Sequence, residues 1–169
     1  LDSINKNQSR LFDSFGIFEV GPIFENLHSN GQHMMATGIK YGSIYPSNWN
    51  DEKRIIDAFD IKADLYSLLS YLKLSLENLL IDSNAPSWYH PGKSSKILYN
   101  GVTIGFFGEI NPSILDKYEI KNNVCGFEIF LDELDKFTSK ELVRNKSFNN
   151  NPYQAIERDF AFIIGKNIK

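Results

Sequence analysis

The sequence predicts an α+β domain in which helices flank an antiparallel sheet, and three observations support this prediction. Strand-like segments occur in adjacent pairs that turn residues connect, as they do in β-hairpins. One amphipathic helical segment, from Lys62 to Leu74, lies between the pairs. Single strands do not alternate regularly with helices, as they would in a parallel sheet built from βαβ units.

The first pair of strands is predicted for Phe15 to Phe24 and for Met34 to Tyr41. Both segments have the composition of strands, and the turn-rich segment from Asn26 to Gly31 separates them. We expect a bulge or kink at Gly21-Pro22, because proline lacks the N–H group that a central strand donates to its neighbour.

The clearest helix is predicted for Lys62 to Leu74, because leucines recur there at steps of three and four residues and form one apolar face. Asp60 is the expected N-cap, since its carboxylate can accept hydrogen bonds from the first turn. Ile55 to Asp60 fits either a strand or the start of this helix. Leu1 to Arg10 is polar and is predicted to be a loop or the end of an earlier helix. The leucines of the apolar face are Leu65, Leu68, Leu69 and Leu72.

A second hairpin is specified more strongly than any other segment. Asn100-Gly101 predicts a two-residue type I′ turn, because both central residues of that turn need a positive φ. The turn would join strands from Lys96 to Tyr99 and from Val102 to Phe107. We expect the chain to enter this hairpin through a turn at His90-Pro91-Gly92 and to leave it through Gly108.

Shorter elements are predicted around this hairpin. A helix is expected from Pro112 to Lys117, because proline is favoured in the first helical turn. A second short helix is expected from Asp132 to Thr138, with Asp132 as its cap. Strands are expected from Glu77 to Ile81 and from Val124 to Leu131.

The end of the chain predicts a linker, and after it either an extra strand of the first domain or the start of a second one. Asn145 to Pro152 contains three consecutive asparagines and predicts a linker. Arg158 to Ile164 predicts a single strand with no partner left in the sequence, and an isolated strand is not stable by itself. Because the chain also lacks an initial Met, we expect a piece of a longer protein.

Composition limits the class of protein. The 169 residues are 42% hydrophobic and 23% charged, so a folded core is expected and disorder is not. The net charge of −3 argues against a generic nucleic-acid-binding surface. A single cysteine, Cys125, excludes an internal disulfide and is expected to be a small buried residue. No apolar run reaches the ~18 residues of a membrane helix, and we expect a soluble cytoplasmic protein.

Catalytic groups are few. His90 and Glu109 stand at the two ends of the hairpin and could form an acid–base pair, although His90 could equally cap the turn before Pro91. His33 and His90 could contribute to a metal site, but the histidines lack ligand spacing such as His-x-x-x-His. Ser94 lacks the Gly-x-Ser-x-Gly elbow of a serine nucleophile.

Phosphate-binding groups are also few. Gly105 to Gly108 is not followed by the Lys-Ser of a phosphate loop, and its glycines predict close approach of a backbone or ring to the sheet. Lys93 and Lys96 could contact phosphate, although exposed lysines on a strand usually contact only solvent. Proteins that bind ATP phosphates usually use bidentate arginines, and this chain has only Arg10, Arg54, Arg144 and Arg158. These residues predict a non-catalytic domain.

A series of short sequence blocks occurs in a characteristic order between Phe12 and Ile164. In that order, the chain resembles the beta subunit of bacterial phenylalanyl-tRNA synthetase. The blocks are Phe18–Phe24, Phe59–Leu65, His-Pro-Gly-Lys-Ser at 90–94, Gly-x-x-Gly-Glu-Ile-Asn-Pro at 105–112, Phe127–Leu131 and Pro152–Phe162.

The resemblance implies two regions. Residues 1–147 would form a catalytic-like domain, with the antiparallel fold of class II aminoacyl-tRNA synthetases but without their active site. Residues 148–169 would form a linker and the first strand of a truncated, ferredoxin-like anticodon-binding domain. No catalytic, cofactor-binding or metal-binding residue is expected in this piece. The structural or interface candidates are His90, Pro91, Gly92, Lys93, Gly105, Gly108, Glu109, Arg158 and Asp159.

The resemblance also implies a division of labour. In the family, the alpha subunit activates phenylalanine with ATP and magnesium, and two alpha and two beta subunits form the enzyme that binds tRNA. Active class II enzymes carry a Phe-Arg-x-Glu motif whose arginine binds the α-phosphate of ATP. If Phe18 marks that strand, Glu19 occupies the arginine position and Gly21 the glutamate position. A carboxylate there would repel phosphate, so a scaffold that packs against the alpha subunit is implied.

Two alternatives remain open from the sequence. The first is a stand-alone regulatory module with a class II-like fold that binds a small molecule such as an amino acid. The second is an unrelated hydrolase that uses His90 and Glu109.

Overall fold

The structure is a computed structural model that describes residues 1–26, 31–44, 49, 54–138, 157–163 and 165. It confirms the α+β class, with an antiparallel sheet and few helices. The helices are α1 (Asp2–Ser9), α2 (Ala58–Tyr71), α3 (Pro112–Lys117) and α4 (Leu131–Asp135), with a 3₁₀ turn at Leu76–Asn78. The strands are β1 (Phe15–Phe24), β2 (Gln32–Tyr41), β3 (Leu79–Asp82), β4 (Tyr89–Tyr99), β5 (Val102–Ile110) and β6 (Val124–Phe130).

The six strands of the described residues form one sheet in the order β1-β2-β6-β5-β4-β3. Every neighbouring pair is antiparallel. The two predicted hairpins, β1–β2 and β4–β5, therefore lie side by side with β6 inserted between them. Among the described residues, no helix is long and apolar enough to cross a membrane.

Helix α2 covers one face of the sheet, which we call the α2 face. Its residues Ile61, Leu65 and Leu69 are fully buried and belong to one core cluster with Ile104 of β5 and Ile129 of β6. Burial of one such side chain contributes about 1.5–3 kcal/mol to the free energy of unfolding. The leucine periodicity of the sequence thus gave the correct buried face.

Helix α1 packs on the opposite face, which we call the α1 face. The segment before β1, expected as a loop or the end of an earlier helix, is helical from Asp2 to Ser9. Ile4 is fully buried beside Tyr41, Leu115 and Val124 in a second core cluster. A single buried isoleucine in a polar segment carries too little periodicity to predict the helix from the sequence.

The start of α2 differs from the prediction. Asp57, and not Asp60, is the N-cap, and its Oδ1 accepts hydrogen bonds from the N–H groups of Phe59 and Asp60 at 2.8 and 3.2 Å. Asp60 instead lies at the third helical position, where its carboxylate accepts a hydrogen bond from the Asp57 N–H. This reciprocal capping box satisfies the free N–H groups from both sides and extends the helix by one turn toward its N-terminus.

The β4–β5 hairpin is confirmed, but its entry is not a turn. Asn100 and Gly101 have φ values of 49° and 81°, as the type I′ turn requires. His90, Pro91 and Gly92 lie inside β4, where the pairing register shifts between Tyr89 and Ser94. The extra residues are accommodated in an irregular, bulged stretch of β4, because β5 continues to Ile110 and keeps β4 extended beside it.

Three shorter predictions need correction. Gly21-Pro22 causes no register shift, because β1 is an edge strand and proline can sit there without leaving a neighbour unpaired. Glu77 lies in a 3₁₀ turn, and β3 begins only at Leu79. Helix α4 begins at Leu131, and Asp132 does not cap it but accepts a hydrogen bond from the Met34 N–H at 2.9 Å. The helix predicted from Pro112 to Lys117 is confirmed.

The C-terminal predictions are only partly covered. The linker from Asn145 to Pro152 and the domain boundary after residue 147 lie outside the described residues. The strand predicted for Arg158 to Ile164 is not formed over residues 157–163, which are exposed and irregular. An isolated strand is not stable by itself, and the sheet of the described residues does not include this segment.

The close approach of β5 and β6 at Gly105 can be tested by substitution. A Cβ at Gly105 would lie 2.1 Å from the carbonyl oxygen of Glu128. We therefore expect Gly105→Ala to lower the free energy of unfolding by about 1–3 kcal/mol. Gly21→Ala is the matched control, because a Cβ there meets nothing within 4 Å. Urea unfolding followed by circular dichroism measures both, and equal stabilities would contradict the close approach.

Candidate functional site

A mostly apolar pocket among the described residues lies between the start of α2 and the bulged part of β4. We call it the hairpin pocket; its volume is about 440 Å³. Its apolar wall includes Phe59, Ile81 and Phe107, and its polar rim includes Lys93 and Glu109. Several residues that the sequence analysis considered therefore line one pocket, because the bulge and α2 meet on the same face of the sheet.

Glu109 is the buried charge of this pocket, and Lys93 neutralises it. Lys93 Nζ lies 3.1 and 2.9 Å from the two carboxylate oxygens of Glu109. Glu109 is only 7% exposed, so an unpaired carboxylate there would be costly. The hydrogen bond to Glu109 raises the pKa of Lys93, which keeps the ammonium group charged. The pair is a structural clamp between β4 and β5.

His90 serves the local backbone and does not pair with Glu109. Its Nδ1 accepts a hydrogen bond from the Gly92 N–H at 3.0 Å, and its carbonyl oxygen accepts one from Ser94 Oγ at 2.6 Å. These contacts hold the bulge that contains Pro91. His90 thus accepts a local backbone hydrogen bond, but it does so within the bulged stretch of β4 and not in the turn that the sequence predicted. The acid–base pair with Glu109 is not formed, because the Glu109 carboxylate is engaged by Lys93.

Gly108 permits the clamp to form. Its φ is 150°, and a Cβ at this position would lie 2.4 Å from Cβ of Ser94 and 2.5 Å from the carbonyl oxygen of Lys93. A side chain at Gly108 would therefore push β4 away from β5. The predicted role of Gly105 and Gly108 in close backbone approach is confirmed by these distances.

A cluster of charges lies beside the hairpin pocket at the start of α2. Arg54 donates to both carboxylate oxygens of Asp60 at 2.5 and 3.0 Å and to Asp57 at 3.3 Å. Burial alone would raise the pKa of Asp60, but the hydrogen bonds from Arg54 and from the Asp57 backbone outweigh it and lower the pKa. Arg54 thus fixes the helix start and is not a free phosphate-binding group.

The α1 face carries a second group of functional interest. Glu19, Thr37 and Glu128 are paired across β1, β2 and β6, so their side chains lie in one row on this face. Glu128 Oε1 accepts a hydrogen bond from Trp88 Nε1 at 3.1 Å. Burial raises the pKa of Glu128, and this hydrogen bond opposes the rise. The carboxylates of Glu19 and Glu128 thus lie in the same row. Neither forms an ion pair with a described lysine or arginine.

The other sequence candidates are not brought into these sites. Lys96 forms an ion pair with Asp82 at 3.3 Å, so it is not available to a phosphate at that position. Cys125 is fully buried, and burial together with the nearby Glu109 raises its pKa to about 12, so it is an inert core residue as expected. Arg158 and Asp159 are exposed and form no ion pair with the hairpin among the described residues.

His33 and His90, which the sequence analysis considered as metal ligands, do not form a metal site with other described residues. Within residues 1–26, 31–44, 49, 54–138, 157–163 and 165, no group of three or more His, Cys, Asp or Glu side chains could hold an ion. His33 lies near Glu25 and Asp132, at 3.9 and 3.7 Å, and His90 lies in the β4 bulge. His28 lies outside the described residues.

Sequence reasoning missed Trp88 and Glu128. The available signal was a lone carboxylate in the otherwise apolar strand from Val124 to Phe130. Its partner on the α1 face could not be found from spacing, because Trp88 is 40 residues away and approaches only through the order of the strands.

Comparison with known proteins identifies relatives of nearly the whole chain. A family model described as the phenylalanyl tRNA synthetase beta chain CLM domain matches residues 1–131. A phenylalanine–tRNA ligase beta subunit of Paramagnetospirillum magneticum is 36% identical over 159 residues, which cover 94% of this chain and 20% of the relative.

Two further relatives carry the same name. The protein of Bartonella henselae is 36% identical over 171 residues, covering 98% of this chain and 21% of the relative. That of Ehrlichia ruminantium is 34% identical over 172 residues, covering 99% and 21%. The chain thus spans about a fifth of the length of the curated relatives that it matches.

The Arg54–Asp60 pair predicts a pH-dependent stability. Because folding lowers the pKa of Asp60, its contribution is complete above the ordinary value of 3.8 and is lost as the pH falls through the lower folded-state pKa. We expect Asp60→Asn to cost about 1.5–3 kcal/mol at pH 7. The difference from the wild type should shrink between pH 5 and pH 2, as measured by urea unfolding.

Asp64→Asn is the matched control for this prediction. Asp64 pairs with Lys40 at 2.6 Å but is 41% exposed, so its removal should cost less than about 1 kcal/mol. A cost for Asp60→Asn that stays constant down to pH 2 would contradict the assigned role of the ionised pair.

Proposed function

The chain belongs to the phenylalanyl tRNA synthetase beta chain family, and we propose that it serves the beta subunit of that ligase as a non-catalytic scaffold. In this proposal the full-length beta subunit pairs with an alpha subunit that activates phenylalanine with ATP and magnesium. Two subunits of each kind then form a cytoplasmic enzyme that attaches phenylalanine to its tRNA, which the full-length chain helps to bind.

The finer domain assignment belongs to the same proposal. Residues 1–147 would be a catalytic-like domain related to the class II synthetase core. Residues 148–169 would be a linker and the first strand of an anticodon-binding domain that includes Arg158 and Asp159. The six-stranded antiparallel sheet with flanking helices supports the first assignment. The match of the family model to residues 1–131, all within the first region, also supports it.

The single observation that carries the scaffold role is the charge of the α1 face. Glu19, at the position proposed for a phosphate-binding arginine, shares its row with Glu128. A phosphate charge about 5 Å from one carboxylate would be repelled by roughly 3 kcal/mol at an effective dielectric constant of ~20. This row therefore opposes the binding of ATP phosphates that an active site would require.

An apolar stripe on the edge strand supplies a surface for a partner. Phe18, Val20 and Phe24 lie on the same side of β1, on the α2 face but beyond the helix that covers its centre. Phe18 is 84% exposed, and the stripe is about 20 Å long at ~3.4 Å per residue. Met34 of β2 extends it, since it pairs with Pro22.

An exposed apolar edge strand is a typical interaction surface. Large apolar patches on a protein surface mark contacts with other chains, and a long unpaired edge invites association. In the proposal, the alpha subunit covers this stripe, which explains why aromatic side chains remain exposed in the isolated domain.

The stand-alone regulatory module is not favoured. Relatives that match 94–99% of this chain carry the name of the beta subunit. The hydrolase alternative lacks its acid–base pair, since Lys93 holds Glu109.

The scaffold role predicts that the chain by itself does not activate phenylalanine. We expect ATP–pyrophosphate exchange at the background rate for the chain alone, because the α1 face repels phosphate. Radioactive pyrophosphate exchange, with the assembled enzyme as the positive control, measures this. A phenylalanine-dependent exchange rate above background in the isolated chain would contradict the scaffold role.

The apolar stripe predicts a specific effect on assembly. Phe18→Ser should weaken the complex with the alpha subunit of the same organism by at least about 10-fold, because a buried aromatic anchor is lost. Leu80→Ser is the matched control: Leu80 is 63% exposed on β3, at the opposite edge of the sheet. Size-exclusion chromatography with light scattering at several concentrations compares the two. Equal effects of both substitutions would contradict this placement of the interface.

A further inference from the structure

A small cavity lies on the α1 face beside the row of carboxylates. Its volume is about 190 Å³, and it is lined by Thr37, Ile39, Trp88, Tyr89, Phe127 and Glu128, among others. Pockets that enclose small organic ligands usually measure about 300–1,000 Å³. The cavity is therefore large enough for the end of one side chain but small for a whole ligand.

Glu128 places a negative charge in this cavity without an opposing positive charge. Its carboxylate receives the indole N–H of Trp88 at 3.1 Å, and it forms no ion pair with a described lysine, arginine or histidine. Leu1 also lines the cavity, and among the described residues its α-amino group forms no ion pair with Glu128. A partly buried carboxylate is stabilised most by a cation that brings several N–H donors.

The walls of the cavity also suit a cation. Trp88 and Tyr89 stand next to each other, with ring centroids 6.5 Å apart and an interplanar angle of 39°. The faces of such rings attract guanidinium and ammonium groups. Tyr89 is almost fully buried, and burial followed by the negative charge of Glu128 raises the pKa of its hydroxyl. The tyrosine hydroxyl therefore stays neutral and adds no second negative charge to the cavity.

We propose that this cavity binds the cationic end of an arginine or lysine side chain presented by a partner chain. The carboxylate of Glu128 supplies the ion pair and the rings of Trp88 and Tyr89 supply the apolar and cation–π contacts. Glu19 lies in the same row and adds a second negative charge on the path of approach. The site lies on the face opposite the apolar stripe of β1, so it is a separate binding surface.

The two indole groups of the chain allow a direct test. Trp49 and Trp88 are the only tryptophans, so a ¹⁵N-labelled sample of the full 169-residue chain gives two indole signals. Ethylguanidinium and ethylammonium chloride serve as probes of the arginine and lysine ends, and neutral ethylurea is the isosteric control, all at constant ionic strength. We expect either cation to shift the Trp88 signal saturably and to leave Trp49, which is 96% exposed, unchanged.

Three variants make the test specific. Glu128→Gln should raise the dissociation constant of the better cation by at least about 10-fold, the loss expected for one charge-assisted hydrogen bond. Glu128→Asp, which keeps the charge, should retain saturable binding. Glu77→Gln, on the exposed 3₁₀ turn, should leave binding unchanged.

Several results would overturn the inference. These are an equal response to ethylurea, no saturable response to either cation, and binding by Glu128→Gln as tight as that of the wild type. The larger of the two cation responses assigns the site to arginine or to lysine. The titration uses the chain without the alpha subunit, so its failure leaves the scaffold proposal intact, and a failed assembly experiment leaves this inference intact.

Discussion

Strand β6 is the constraint on which the rest of the structure depends. It pairs with β2 on one side and with β5 on the other, and so joins two hairpins into one six-stranded sheet. Val124, Cys125 and Ile129 of this strand are fully buried and contribute to both core clusters. Its close contact with β5 requires a glycine at Gly105, where even a methyl group would meet the neighbouring backbone. The position of β6 between the two hairpins therefore determines which residues lie together on each face of the sheet.

The two faces then acquire different chemistry. On the α2 face, helix α2 covers the centre of the sheet, and the outer strand β1 keeps an apolar stripe that includes Phe18. On the α1 face, the same register aligns Glu19 with Glu128 through Thr37. An apolar edge is suited to a protein partner, whereas a row of carboxylates repels phosphates and attracts cations. The family relationship and these two surfaces together favour assembly over catalysis.

The elements that the sequence predicted correctly are those that depend on residues close together in the chain. The Asn100-Gly101 turn, the helix that begins at Pro112 and the strands of both hairpins follow from short-range preferences of the backbone. The sequence could not predict the position of β6 or the contact of Trp88 with Glu128, because both depend on strand order. The sequence favours Asp60 as the cap of α2, whereas the structure has Asp57 there, since either aspartate is a residue type that can accept hydrogen bonds from free N–H groups at a helix start.

Hydrogen–deuterium exchange of the chain, alone and bound to the alpha subunit, tests the central claim most directly. Within the part of the chain that the structure describes, no strand lies beyond β1, so its outer N–H groups should exchange quickly in the free chain. If the scaffold packs through its apolar stripe, peptides from Phe15 to Phe24 become protected in the complex, and those from Leu79 to Asp82 do not. Unchanged exchange in β1 when the complex has formed, or protection centred on β3, would contradict the account.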